Sequence, residues 1–79
     1  MNITVRLYAT LRRYQPGPSK DGRLSLDLPS GANIGLALKQ LGIPDEVALV
    51  AMVNDKVQML DFGLSEADTL SLFPPVAGG

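Results

Sequence analysis

The 79-residue sequence has no cysteine, no histidine and no tryptophan. Without cysteine there is neither a disulfide framework nor a thiolate metal site, and the redox state of the compartment leaves no mark on the chain. With histidine absent as well, Cys/His zinc sites, Cys–His dyads and Ser-His-Asp triads are excluded. Charge is scarce and balanced: 7 basic against 8 acidic residues give a net charge of −1. That balance provides no electrostatic footprint for nucleic acid. Charged residues make up 19% of the chain, against the usual quarter, and hydrophobic residues 46%. A small domain this apolar is expected to leave some of that surface for a partner. No apolar run approaches the roughly 20 residues of a membrane span, and Arg6 interrupts the first apolar stretch. Neither a membrane segment nor a signal peptide is therefore read, and a cytoplasmic location is expected. The length suits one small domain, which buries about 60% of its unfolded surface and can stand without staples.

What is present is alternation. In Asn2–Tyr8, Ile3, Val5 and Leu7 alternate with Thr4, Arg6 and Tyr8, a period of two with one face dry and one wet. Residues 9–14 suit a short helical turn that folds Leu11 onto the core, with Arg12 and Arg13 read as solvated surface rather than as an anion site, the alternative for such a pair. Gln15–Gly22 holds two prolines and two glycines and reads as a surface loop. Leu24, Leu26 and Leu28 then alternate in a second strand, expected to pair with the first as an antiparallel hairpin. Asn33 is a good N-cap, and Ile34, Ala37, Leu38 and Leu41 follow at helical spacing. Gly42 and Pro44 close that helix. Gly35 inside it suggests a close approach, expected against a strand.

The unbroken apolar run Val47–Val53 reads as a strand dry on both faces, ended by the turn Asn54-Asp55-Lys56. One helix can cover only one of those faces, so the other is either shielded by loops or open to a partner. Val57–Met59 returns as a short strand. Thr69–Phe73 alternates again, with Leu70 and Leu72 inward and Phe73 outward. The resulting order, β-β-α-β-β-β, predicts an α+β fold: a mixed sheet of four to five strands with one crossover helix. The crossover implies a parallel pair, most simply the first strand with the last.

After Phe73 the chain reads Pro74-Pro75-Val76-Ala77-Gly78-Gly79. Two prolines remove two backbone donors, so the strand cannot continue its ladder. Residues 1–74 are read as the domain and 75–79 as a tail, which when extended reaches roughly 16 Å at about 3.3 Å per residue. A frayed terminus is the plain alternative, but this tail is uncharged, narrow and apolar. Its last two residues lack Cβ and can pass a slot too tight for any other residue type. The Gly79 carboxylate is a poor electrophile that needs activation by a partner, since no side chain here can supply it.

The strand order together with Phe73–Gly79 resembles the ubiquitin-like β-grasp family of small sulfur carriers, in particular the small subunit of molybdopterin synthase. The resemblance also covers Tyr8-Ala9-Thr10-Leu11-Arg12, Pro29-Ser30-Gly31, Leu41-Gly42, Val53-Asn54-Asp55, Leu64 and Asp68. The sequence departs from its relatives at Ala67 and Asp55, where glycine is usual. The resemblance implies that an E1-like activating enzyme adenylates Gly79 using ATP. Sulfur from a persulfide donor then converts the terminus to a thiocarboxylate. The large synthase subunit accepts the tail, and the sulfur goes to a pterin precursor. Gly79 is then the chemical site, and Pro75, Val76, Ala77 and Gly78 enter the partner, while Phe73 and Pro74 dock. Neither a metal nor a cofactor is bound by the chain itself. Carriage of sulfur to thiamine or another product, protein modification, and a pure interaction domain are the alternatives.

Overall fold

The computed structural model describes residues 1–17 and 21–75. The strands are β1 (Asn2–Leu7), β2 (Arg23–Asp27), β3 (Val50–Val53), β4 (Lys56–Gln58) and β5 (Thr69–Phe73). One helix, α1 (Ile34–Leu41), and a 3₁₀ segment, Ala9–Tyr14, complete the order. The strands form one mixed sheet in the order β2-β1-β5-β3-β4. β1 pairs antiparallel with β2 and parallel with β5, as the hairpin and crossover arguments predict. β5 is thus central, with β3 antiparallel on its other side.

Alternation decides which face is dry. Ile3, Val5 and Leu7 are at most 1% exposed, and Leu70 and Leu72 are fully buried. They share one cluster with Ile34, Ala37, Leu38 and Leu41 of α1 and with Leu11 of the 3₁₀ segment. Leu24 and Leu26, opposite Val5 and Ile3, point the same way but are only half-buried, because β2 is an edge strand. Leu28, just past β2, is fully buried among the core residues.

The helix ends follow their sequence signals. The Asn33 side chain accepts from the Leu36 N–H at 2.9 Å, and Gly42 adopts φ 78° as a left-handed cap. Gly35 does make a close approach, but to a loop and not to a strand. Its N–H donates to the Leu60 carbonyl at 2.9 Å.

Two strands are shorter than their apolar runs. β3 was expected over Val47–Val53 but pairs only from Val50, because the Val47 N–H is taken by the Pro44 carbonyl in the turn after α1. β4 spans Lys56–Gln58, not Val57–Met59, since the Met59 carbonyl accepts from Phe62 N–H and turns the chain. Gln15–Gly22 is anchored at both ends: buried Gln15 donates through Nε2 to the Arg23 carbonyl at 2.7 Å and accepts through Oε1 from the Gly22 N–H at 2.7 Å.

Candidate functional site

The tail leaves the body from the middle of the sheet. The Tyr8 N–H donates to the Leu72 carbonyl at 3.1 Å, and Phe73 stands opposite Val50 of β3. β5 is therefore held from both sides up to its last residue. Pro74 is half-buried and Pro75 exposed, and neither can donate to a neighbouring strand. Of the residues expected to enter a partner, only Pro75 is among those described. Val76, Ala77, Gly78 and the expected chemical site Gly79 lie outside them.

Phe73 lies on the outward face, as the alternation of β5 predicts. It is covered not by a loop but by another ring: Tyr8 stacks on it with centroids 4.3 Å apart and an interplanar angle of 15°. The Arg6 guanidinium sits 5.6 Å from the Tyr8 ring centre, within cation–π range. Arg6, Tyr8 and Phe73 thus form a connected row at the base of the tail.

Beyond Phe73 the same face becomes apolar. Val50 is its cross-strand partner, and Met52 lies between Ser71 and Val57 in the next row. On this face Val50 is 39% exposed and Val57 66%, and past β4 follow Met59, 77% exposed, and Leu60, 48% exposed, whose carbonyl turns to Gly35 of α1. The expectation of a β3 dry on both faces is therefore corrected: Ala51 and Val53 are buried, while Val50 is exposed. With α1 on the inward face and, among the described residues, no element on the other, the apolar run serves the core with one half and solvent with the other.

The sequence reading set Arg6 and Tyr8 on the wet side of β1 without joining them to Phe73, and missed the exposure of Val57 and Met59. A signal for Tyr8 was available. It continues the wet side of β1 two residues after Arg6, and the parallel pairing of β1 with β5 sets it beside Phe73. No such signal existed for Val57 and Met59, whose exposure follows from β4 being the last strand of the sheet.

Among the described residues no group of acidic side chains could hold a metal ion, and no helix is long and apolar enough to cross a membrane. The arrangement can present a chain end from the centre of an open, partly apolar sheet face.

Known folds share this architecture. SAMP1 from Haloferax volcanii matches with a TM-score of 0.76 at 22% identity, covering 100% of both chains. The Haloferax volcanii protein HVO 2177 gives 0.80 at 22% identity, over 100% of this chain and 87% of that one. The complex of subunits 1 and 2 of molybdopterin-converting factor from Helicobacter pylori contains a chain matching at 0.64 and 22% identity, with 100% of both covered. These likenesses establish the β-grasp fold. No curated protein matches the sequence. A family match runs from residue 5, inside β1, to residue 79, taking in the other four strands, the helix and the whole Gly-Gly end: the chain belongs to the ThiS family.

Proposed function

We propose that the chain is a sulfur carrier whose Gly79 carboxylate is adenylated and converted to a thiocarboxylate, with molybdopterin synthesis as the destination of the sulfur. The observation that carries the reading is that the ThiS-family match includes the terminal glycines and that the strand preceding the tail, β5, is central in the sheet and ends at Phe73. The body contributes presentation. β1 and β3 hold β5 to its end, and Tyr8 covers one side of Phe73. Pro74 and Pro75, each with φ fixed near −65°, stiffen the start of the tail.

In this reading an E1-like enzyme attacks the α-phosphate of ATP with the Gly79 carboxylate, releasing pyrophosphate. The outer sulfur of a persulfide donor displaces AMP to give an acyl disulfide, and a second thiol of the partner enzymes cleaves it, leaving the thiocarboxylate on Gly79 and a disulfide on the partners. Pro75, Val76, Ala77 and Gly78 then follow Gly79 into the accepting large subunit, while Phe73 and Pro74 dock outside it with Val50 and Val57. The resemblance to a chain in a complex of molybdopterin-converting-factor subunits 1 and 2 supports a partner of this kind. Pyrophosphate exchange into ATP, catalysed by the activating enzyme, tests the first step. Full-length chain should support exchange, and a chain ending at Pro75 should not. Exchange independent of the tail, or none with full-length chain, contradicts the proposal.

A second reading has its own support, since the fold likeness to H. volcanii small archaeal modifier protein 1, at a TM-score of 0.76, is higher than the 0.64 of the converting-factor chain. A modifier would join Gly79 to lysine side chains of other proteins. Covalent ladders reacting with an antibody to the chain would mark that use.

A further inference from the structure

The open face of the sheet is divided by charge as well as by polarity. Arg6 of β1 and Arg23 of β2 are direct cross-strand partners, both exposed and both on the side away from the core. Such partners have Cβ atoms about 4.5–5.5 Å apart, where like charges oppose pairing. An acidic residue at either position would turn that repulsion into attraction. A third guanidinium is close by: Arg12 Nε would lie 3.3 Å from a Cβ placed on Gly22, the residue before Arg23.

Among the described residues none of these three arginines forms an ion pair; the ion pair present there joins the Met1 ammonium to Asp27. Asp21 is the acidic group nearest in effect. Its carboxyl is held below the usual range first by the Arg23 backbone N–H, then by the Gln15 side chain, with the Arg23 charge contributing less. Its Oδ1 accepts from both donors, and its charge offsets only part of the corner's, leaving the guanidinium groups in excess. Arg6 connects this corner to the tail base through Tyr8 and Phe73. The face thus runs from basic at β2 and β1 to apolar at β3 and β4, with the tail leaving from between the halves.

We infer that the Arg6–Arg23 corner, with Arg12 beside it, docks an Asp/Glu-rich surface of the same protein partner that receives the tail. This rests on the reading of the chain as a carrier. Charge complementarity names the occupant, and continuity with the Tyr8–Phe73 row places it on the tail-accepting protein. A net charge of −1 argues against a polyanion such as nucleic acid, which would meet repulsion elsewhere on the chain. The basic half steers encounter and sets orientation. The apolar half determines how long the complex lasts.

The test is association kinetics with molybdopterin-converting-factor subunit 2 from the same organism, at low and high salt. R6Q/R23Q should associate about tenfold more slowly at low salt with little change in dissociation, because peripheral charges act mainly on the on-rate. The deficit should close near 1 M salt, where screening acts within about 3 Å. R6K/R23K should retain most of the rate, whereas Phe73→Ala should mainly speed dissociation. The melting midpoint of R6Q/R23Q should be unchanged or higher, since like charges no longer face each other. If that double variant folds poorly, Arg23→Gln alone should still show a slowed, salt-sensitive association. Wild-type binding with unchanged association in the Gln variants overturns the basic corner and leaves the carrier reading intact. Absence of wild-type binding overturns both. Binding of the chain at physiological salt to duplex DNA or phosphatidylserine vesicles, lost in R6Q/R23Q, would assign the corner to a different partner and overturn the inference.

Discussion

Tyr8 and Phe73 come from opposite ends of the chain and stack at 4.3 Å, at the point where the sheet gives way to the tail. The contact exists because β1 and β5 run parallel in register, Leu7 beside Leu72, so the next residues of both strands meet on the outward face. Aromatic pairs of this kind contribute about 0.5–1.5 kcal/mol beyond the area they bury. Phe73→Ala should therefore destabilise the isolated domain by about 1–2 kcal/mol, below the roughly 3–5 kcal/mol of a fully buried phenylalanine. A double-mutant cycle with Tyr8→Ala, followed by chemical denaturation, should give a coupling of about 1 kcal/mol. A coupling near zero would mean the rings do not support each other.

Glycine positions give a paired prediction. Gly22 and Gly31 have nearly the same φ, 87° and 86°, but different surroundings. A Cβ on Gly22 would lie 2.5 Å from the Leu7 carbonyl oxygen, whereas one on Gly31 meets nothing within 4 Å. Gly31→Ala should cost about 1–2 kcal/mol, the ordinary penalty for a left-handed alanine. Gly22→Ala adds a backbone clash at the end of β1 and should cost clearly more, about 3 kcal/mol or above. Equal losses in thermal melts would show that the β1–β2 junction can relax.

The two departures from the family pattern are both strained. Asp55 has φ 74° and Ala67 φ 69°, where glycine has no side-chain penalty. Ala67 is exposed, and its N–H donates to the Asn2 carbonyl, a bond that glycine keeps. Ala67→Gly should therefore stabilise the domain by about 0.5–1 kcal/mol, the left-handed penalty less the entropy of an added glycine. A lower melting midpoint would contradict this.

The neighbouring network should be far less tolerant. Asn54 donates to Asp68 Oδ1 at 2.8 Å and accepts from the Thr69 N–H at 3.0 Å, while Asp68 Oδ2 accepts from the Ser65 N–H. Asn54, at φ 49°, is also a residue type that accepts the left-handed region. Asn54→Ala removes both bonds and the local preference, and should cost about 1–3 kcal/mol in denaturant titrations. Because Thr69 begins β5, a smaller loss would show that the strand is held by its ladder alone.

The inward face was legible because period-two alternation in β1 and β5 and helical spacing in α1 both mark residues that must leave water. Asn33 and Gly42 were legible for the same reason: each solves a local backbone problem at a helix end. The ends of β3 and β4 were not, since Val47 and Met59 are apolar enough for a strand but their backbone groups are used in turns. Nor was the pairing of Arg6 with Arg23, or the exact step at which Tyr8, legibly on the wet side of β1, meets Phe73. Both depend on register between strands, which composition does not encode. The chemical role assigned to Gly79 was legible only through resemblance.

Removing the tail should leave the body intact. The described ladder ends at Phe73, and a chain ending at Pro75 should melt within about 0.5 kcal/mol of the full chain, as for surface changes. A large loss would mean that residues 76–79 pack on the domain, and presentation of the tail would have to be abandoned.

The most direct measurement is the intact mass of the chain after incubation with its E1-like activating enzyme, ATP and a persulfide donor. The account predicts a species heavier by the exchange of one oxygen for one sulfur, with fragmentation placing the change on Gly79. The change should be absent when ATP is omitted. An unchanged mass, with neither adenylate nor thiocarboxylate formed by an enzyme that activates other carriers, would contradict it.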